Sequence, residues 1–324
     1  MGGTTIALVS TPPPSSDATS ETVAVVDLGT NSTRLLVARL SDGGLEEIHR
    51  ESTVTSLGSG VDLTGTLTGE AIDRTCRAVD DYRDIWTEAG AGRVIASATS
   101  AVRDADNGAA FVAELRERFA LDARVLSGEE EATLVFQGAT AHSPDHLKKL
   151  VVDIGGGSTE IVIGDHEDTE FHASLQMGVL RHSERHLSSD PPNPGELENL
   201  ANEIRAAIEA ETDQAAPADI ERAIAVAGTP AALAAIERGE TSPKREDIHG
   251  ARLGLERIQR SLSELSSMTH AERAEVPGLK ADRAPFILAG TVILIQVMRA
   301  FGIEEIEVSE TDLMHGVALE VLGA

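Results

Sequence analysis

Aromatic residues are scarce in this 324-residue chain, which holds one Trp, one Tyr and six Phe. Stacking platforms for single-stranded nucleic acid need aromatic faces along a basic groove, and a formal net charge of −27 supplies no such groove. Nucleic acid is therefore not an expected partner. The same acidity repels polyanions at long range, so a phosphate site would have to build its own positive field from arginine, backbone N–H groups and metal. Cys76 is the only cysteine, which excludes an intrachain disulfide and a cysteine metal site and fits a reducing, cytoplasmic location. Lysine is nearly absent, being confined to Lys148, Lys149, Lys244 and Lys280 while arginine is plentiful, a bias attributed to genome composition. Long apolar runs are missing too. The best, PFILAGTVILIQVM at 285 to 298, falls short of the ~20 residues that span a bilayer and reads as a buried core helix, so no membrane association is expected. The N-terminal stretch has neither the basic region nor the apolar core of a signal peptide. Its Pro12, Pro13 and Pro14 among Ser and Thr mark residues 1–21 as a disordered leader.

What the chain does have is LVVDIGGGSTEIVIG at 150 to 164. Two β-branched runs flank a glycine loop, the signature of a hairpin. Gly155, Gly156 and Gly157 can take positive φ and let backbone N–H groups approach an oxyanion without a Cβ in the way. Ser158 and Thr159 add hydroxyl donors. Asp153 and Glu160 bracket the loop with carboxylates that repel a phosphate unless a hard cation bridges them, so the loop predicts phosphate together with a divalent metal. The pattern has an earlier copy. TVAVVDL at 22 to 28 leads through GTNST into RLLVARL, again strand, Asp, glycine, small polar residues, strand. This internal repeat of a phosphate hairpin predicts two domains, over 22–140 and 141–324, with the last helix packing back on the first domain.

Each half reads β-β-β-α-β-α-β-α. In the first, a third strand is expected over 45–57, a helix over 69–90, a strand over 92–98, a helix over 107–119 and a short strand near 123–126. Ser127 opens the next helix with three glutamates, where the dipole favours negative charge and Ser127 with Glu130 fits a capping box. In the second, a strand over 167–175 precedes helices from 178 and over 195–213. A strand over 221–229 then turns into a helix over 230–238, the tract 239–282 is helical and polar, and the last strand, 304–310, leads into a helix capped by Ser309 or Thr311. His182, His186 and His315 invite a metal reading, but no spacing joins them, and they are assigned as structural or solvated.

Two mixed sheets, each opened by an Asp-bearing hairpin, resemble the duplicated RNase H-like domains of the actin-like ATPase superfamily, an α/β fold with a cleft between the domains. Within it, DLGTNSTRLLVARL, ASATSAVRDADNG, SGEEEATLVFQGA, VVDIGGGSTEIVIG, SLQMGVLRHSERHL, AVAGTPAALAA and SETDLMHGVAL resemble the exopolyphosphatase and guanosine pentaphosphate phosphohydrolase family in order and spacing. The resemblance implies that Glu131, on the helix before the second loop, is the general base, with Glu160 assisting it. It implies Mg²⁺ on Asp153, Glu160 and Asp27, and phosphate oxygens held by Thr30, Asn31, Ser32, Gly156, Gly157, Ser158 and Thr159. Arg103 would supply the fixed cation, and Arg181 is a weaker candidate for the same task. Larger members carry an HD-type helical domain after the second lobe, where this sequence stops, so short chains or a partner subunit, such as a homodimer, are expectations to test.

The reading that follows is a Mg²⁺-dependent exopolyphosphatase acting on inorganic polyphosphate. The alternative is removal of the terminal phosphate of pppGpp, the same chemistry beside a guanosine pocket; the paucity of aromatics tilts the balance to polyphosphate. More distant readings are an ATP-binding kinase or actin-like ATPase, for which Gly228 and Thr229 would form the adenosine loop, and a non-catalytic phosphate sensor.

Overall fold

The computed structural model describes residues 21–41, 44–141, 143, 145–165, 167–212 and 219–323; the leader expected over 1–21 lies outside them except for Glu21. The chain begins with β1 (Thr22–Leu28), β2 (Ser32–Ser41) and β3 (Gly44–Val54), followed by α1 (Val61–Thr64), α2 (Gly69–Glu88), β4 (Arg93–Ala98), α3 (Ser100–Asp104), α4 (Gly108–Phe119), β5 (Asp122–Val125) and α5 (Gly128–Thr140). It continues with β6 (Lys149–Ile154), β7 (Thr159–Gly164), β8 (Thr169–Leu175), α6 (Val179–His186), α7 (Pro194–Thr212), β9 (Arg222–Val226) and α8 (Gly228–Arg238). The last elements are α9 (Arg245–Ile248), β10 (Arg252–Gly254), α10 (Leu255–Ser266), α11 (His270–Ala274), α12 (Ile287–Ala300), β11 (Glu305–Val308) and α13 (Leu313–Leu322).

The first sheet has the order β3-β2-β1-β4-β5, and the second repeats it as β8-β7-β6-β9-β11 with β10 added at the edge. In each, three antiparallel strands meander and the first pairs in parallel with a later one. The repeat extends to single hydrogen bonds: Gly29 N donates to Ser32 O at 3.1 Å, and Gly155 N to Ser158 O at 3.0 Å. Strand β10 was not expected. It is three residues long and pairs with β11 at the rim, too short to show a period of two within a polar helical tract.

Each sheet packs its helices over a core of its own, and a third core lies between the sheets. There α5 and α13 cross at Gly138 and Gly316. A Cβ on Gly138 would overlap Asp312 O, and one on Gly316 would overlap Leu134 O, so only glycine lets the helices approach this closely. Helix α13 also packs against β1 and β2, which puts the C-terminal helix on the first sheet. Its N-cap is Asp312, not Ser309 or Thr311, because the Asp312 carboxylate accepts from Met314 N at 3.1 Å while Ser309 and Thr311 bond to each other. Helix α12 is buried along nearly its whole length, and among the described residues no helix is long and apolar enough to cross a membrane.

Candidate active site

The pleat sets each hairpin aspartate level with one residue on the next strand. Asp27 lies opposite Arg34, and Asp153 lies opposite Glu160. The duplication is therefore broken at one position, where the first hairpin carries a cation and the second a further carboxylate. Glu131 reaches the same place from the first turn of α5. The three adjacent glutamates are sorted by helix phase: Glu129 and Glu130 face out, Glu130 closing the capping box with Ser127, while Glu131 turns inward. Asp27, Glu131, Asp153 and Glu160 are 3%, 6%, 7% and 1% exposed, and all four line one small cavity of about 100 Å³ between the hairpins.

Four carboxylates out of water with too few cations cannot all stay ionised at their ordinary values. Burial pushes Glu131 and Asp153 up to about 7, with neighbouring carboxylates adding to the effect and Arg103 or Arg34 opposing it. Burial, then Glu131 and Asp153, hold Glu160 well above its usual range. Burial also raises Asp27, against the pull of Arg34. Arg34 is the pivot: its Nε donates to Asp27 Oδ2 at 2.7 Å and its Nη1 to Asp312 Oδ2. Asp312 also receives Arg50 at 3.1 Å, and despite its burial these two guanidiniums hold it well below the carboxylate range. Asp27 Oδ1, by contrast, is buried without a hydrogen-bond partner among the described residues. An orphaned carboxylate oxygen beside two carboxyls in need of a counter-charge is a donor set suited to a hard divalent ion.

The glycine loop makes no use of the left-handed backbone open to it. None of Gly155, Gly156 and Gly157 has positive φ. What demands glycine is close approach between the two hairpins. A Cβ on Gly156 would stand 2.8 Å from Asn31 N and 2.9 Å from Thr30 Cβ, and one on Gly157 would stand 2.5 Å from Ser100 Oγ. The loop thus packs tightly on the first hairpin and the start of α3, leaving Thr30, Asn31, Ser32, Gly156, Gly157 and Ser158 on the cavity wall. Thr159 is not among them. It is fully buried, and its hydroxyl donates to Met177 O at 2.5 Å behind the loop.

Arg103, expected as the fixed phosphate cation, does not line the cavity either. Its Nη1 donates to Glu131 Oε2 at 2.9 Å and to Leu126 O at 2.8 Å. Arg181 is likewise occupied: Nε donates to Gly157 O at 2.9 Å, and the other nitrogens bind Asp62, Gln176 at 2.9 Å and Asp104 at 2.7 Å. It braces the glycine loop and joins it to the first lobe. The open cation is one that sequence reasoning missed, Arg283. It packs over Gly228, where a Cβ would collide with its guanidinium, and it lines both the small cavity and an adjoining one of about 730 Å³. Among the described residues its guanidinium has no ion pair, and burial pushes its pKa down. It stands just past the polar tract 239–282, in no recognised motif, so nothing in the local sequence marked it. Ala227, at the turn beside it, has φ 74°, which residues with a Cβ rarely adopt.

Two lobes of RNase H-like topology, closing paired glycine hairpins over a buried carboxylate cluster, define a phosphate-handling protein of the actin-like ATPase superfamily. More narrowly, the chain belongs to the Ppx/GppA phosphatase family, whose model matches residues 36–324. It is 36% identical to exopolyphosphatase 2 of Mycobacterium tuberculosis over 93% of this chain and 98% of that protein. It is similar to the solved structure of an exopolyphosphatase from Cytophaga hutchinsonii, with a TM-score of 0.85 at 26% identity, covering 94% of this chain and 98% of the other. The guanosine-5'-triphosphate,3'-diphosphate pyrophosphatase of Pseudoalteromonas atlantica is 27% identical across 93% of this chain and 59% of its own length.

Proposed function

We propose that the chain is an exopolyphosphatase, hydrolysing the terminal phosphoanhydride of inorganic polyphosphate to release orthophosphate. The observation that carries the reading is the buried carboxylate cluster facing two glycine hairpins in one cavity, in a chain similar to exopolyphosphatases over nearly its whole length. The terminal phosphoryl group would rest on the hairpin backbone at Thr30, Asn31 and Ser32 and at Gly156, Gly157 and Ser158. Glu131, ionised, takes a proton from a water aligned with the terminal phosphorus. The water oxygen bonds to phosphorus as the bond to the bridging oxygen breaks, and the shortened chain leaves with that oxygen. Arg103 positions the base through its bond to Glu131 Oε2. Asp27, Asp153 and Glu160 would hold Mg²⁺, which when bound supplies positive charge against the phosphate oxygens. The rest of the substrate would extend past Arg283 into the larger cavity.

Hydrolysis of pppGpp is the second reading, favoured by that same cavity, which is roomy enough for a nucleoside, and by the 27% identity to a guanosine-5'-triphosphate,3'-diphosphate pyrophosphatase. Among the described residues no Phe, Tyr or Trp lines the cavity, so they offer no stacking contact of the kind a purine would seek. Phosphate release from short and long polyphosphate, pppGpp and ATP in the presence of Mg²⁺ decides between them. Polyphosphate should be turned over with the highest kcat/KM. A preference for pppGpp would reverse the assignment, and transfer to a small acceptor in place of water would overturn hydrolysis altogether. A cytoplasmic location and a homodimer complete the proposal; fractionation and light scattering test them.

A further inference from the structure

A second cluster of ligating side chains stands outside both cavities, at the end of α6. His182 and His186 are one helical turn apart, with ring centroids separated by 5.8 Å and planes inclined by 22°. Glu203 reaches them from α7. Its Oε2 lies 2.8 Å from His186 Nε2 and its Oε1 lies 3.7 Å from His182 Nε2, and one ligand atom from each of the three falls within 4.8 Å of the others.

As hydrogen bonding the arrangement is poor. His182 is 2% exposed, yet its Nδ1 has no partner, and 3.7 Å is too long for its Nε2 to be satisfied by Glu203. His186 Nε2 is close to Glu203 but makes no aligned hydrogen bond. Two imidazoles one turn apart and a carboxylate from a neighbouring helix are a familiar donor set for borderline metal ions.

We propose that His182, His186 and Glu203 form a transition-metal site of the zinc class, separate from the all-oxygen cluster of the cleft, that ties α6 to α7. Mg²⁺, which prefers oxygen ligands, does not suit it. Arg185 already bonds Glu203, but it also bonds Asp62 through Nη2 at 2.7 Å and Nε at 3.2 Å, so it keeps an anionic partner when the carboxylate turns to a metal. The consequence reaches the cleft through α6. Val179 N and Leu180 N donate to Gly155 O and Gly156 O, each at 2.9 Å, and Glu184 accepts from Ser59 Oγ at 2.8 Å in the first lobe. A metal at the far end of α6 would stiffen the helix that carries the glycine loop.

The test uses the full chain, stripped with a chelator and returned to saturating Mg²⁺ so that the cleft carboxylates are engaged. Zn²⁺ is titrated by calorimetry, and Co²⁺ by its visible absorption. One equivalent of Zn²⁺ should bind, with a rise in Tm, and Co²⁺ should give ligand-field bands. His186→Ala and Glu203→Gln should each weaken binding by more than ~100-fold, since even the loss of an outer-shell partner costs about 10–100-fold, while both keep Mg²⁺-dependent phosphate release. Asp153→Asn should leave the Zn²⁺ equivalent intact. Equal binding in wild type and both variants would overturn the site, and so would loss of the equivalent in Asp153→Asn.

Discussion

Arg103 Nη1 sits 2.9 Å from Glu131 Oε2 while also donating to Leu126 O at 2.8 Å. The guanidinium is oriented by the backbone leading into α5, and it orients the glutamate in turn. Burial raises Glu131 to about 7, and Arg103 is the first force opposing that rise. Replacing Arg103 by Ala should therefore lift Glu131 further, leaving less of the base ionised at neutral pH. The expected result is a lower kcat at pH 7 and an acidic limb of the kcat profile moved to higher pH. An unmoved limb would show that Arg103 does not act through Glu131.

Glu131→Gln keeps the shape of the side chain and removes the base. A loss of at least ~100-fold in kcat is expected, the usual scale for a general base, with little change in KM. Single-turnover phosphate release checks this, and full activity would move the role to another residue.

The metal-free protein should lose stability as pH rises. Glu131, Asp153 and Glu160 all have folded values above their unfolded ones. Such carboxylates contribute stability that is full below the usual carboxylate range and is lost as pH climbs through the folded values, about 7 for Glu131 and Asp153. Asp312, held low, titrates below this window. Tm in chelator should fall over roughly pH 5 to 8, and Mg²⁺ should raise it more at the upper end of that range than at the lower. A Mg²⁺ effect independent of pH would argue against these carboxylates as its ligands.

Much of this architecture was legible because the chain writes it twice. The paired strand-Asp-Gly hairpins announced two lobes, and Ser127 with Glu130 announced the start of α5. The cavity-lining glycines, Asp27 and Asp153 were legible for the same reason, whereas Glu131 was marked only by the family resemblance. What was hidden is what depends on distant partners. Thr159 carries a phosphate-binder's hydroxyl, yet Met177 O, eighteen residues on, claims it. Arg103 looked like a phosphate cation because sequence does not show that Glu131 faces it. His182 and His186 had helical spacing in plain sight, but Glu203 lies on another helix. The glycine contacts were hidden for a related reason: positive φ is a local property, whereas contact between Gly156 and Asn31 is long-range.

That contact carries its own prediction. Gly156→Ala places a methyl 2.8 Å from Asn31 N and 2.9 Å from Thr30 Cβ, and neither side of the hairpin pair has a flexible chain to move aside. Overpacking of this kind costs about 1–3 kcal/mol. Because the two loops must part to admit the methyl, kcat should fall more steeply than stability, as read by urea unfolding beside phosphate release. A variant with wild-type kcat would mean that the loops need not touch for catalysis.

Arg283 separates substrate binding from chemistry. It faces both cavities with no ion pair among the described residues, over Gly228, where a Cβ would collide with its guanidinium. A half-buried cation without an ion pair, in a cleft for a polyanion, gains its partner when substrate arrives. A hydrogen bond to a charged group is worth about 1.5–3 kcal/mol, so Arg283→Ala should raise KM for polyphosphate by ~10-fold or more. Arg283 borders the small cavity as well, but the rest of the chain would lie in the larger one, so the larger effect should fall on KM. Arg283→Lys should restore part of the loss, since charge survives while bidentate geometry does not. A fall in kcat with KM unchanged would instead place Arg283 at the reacting phosphoryl group.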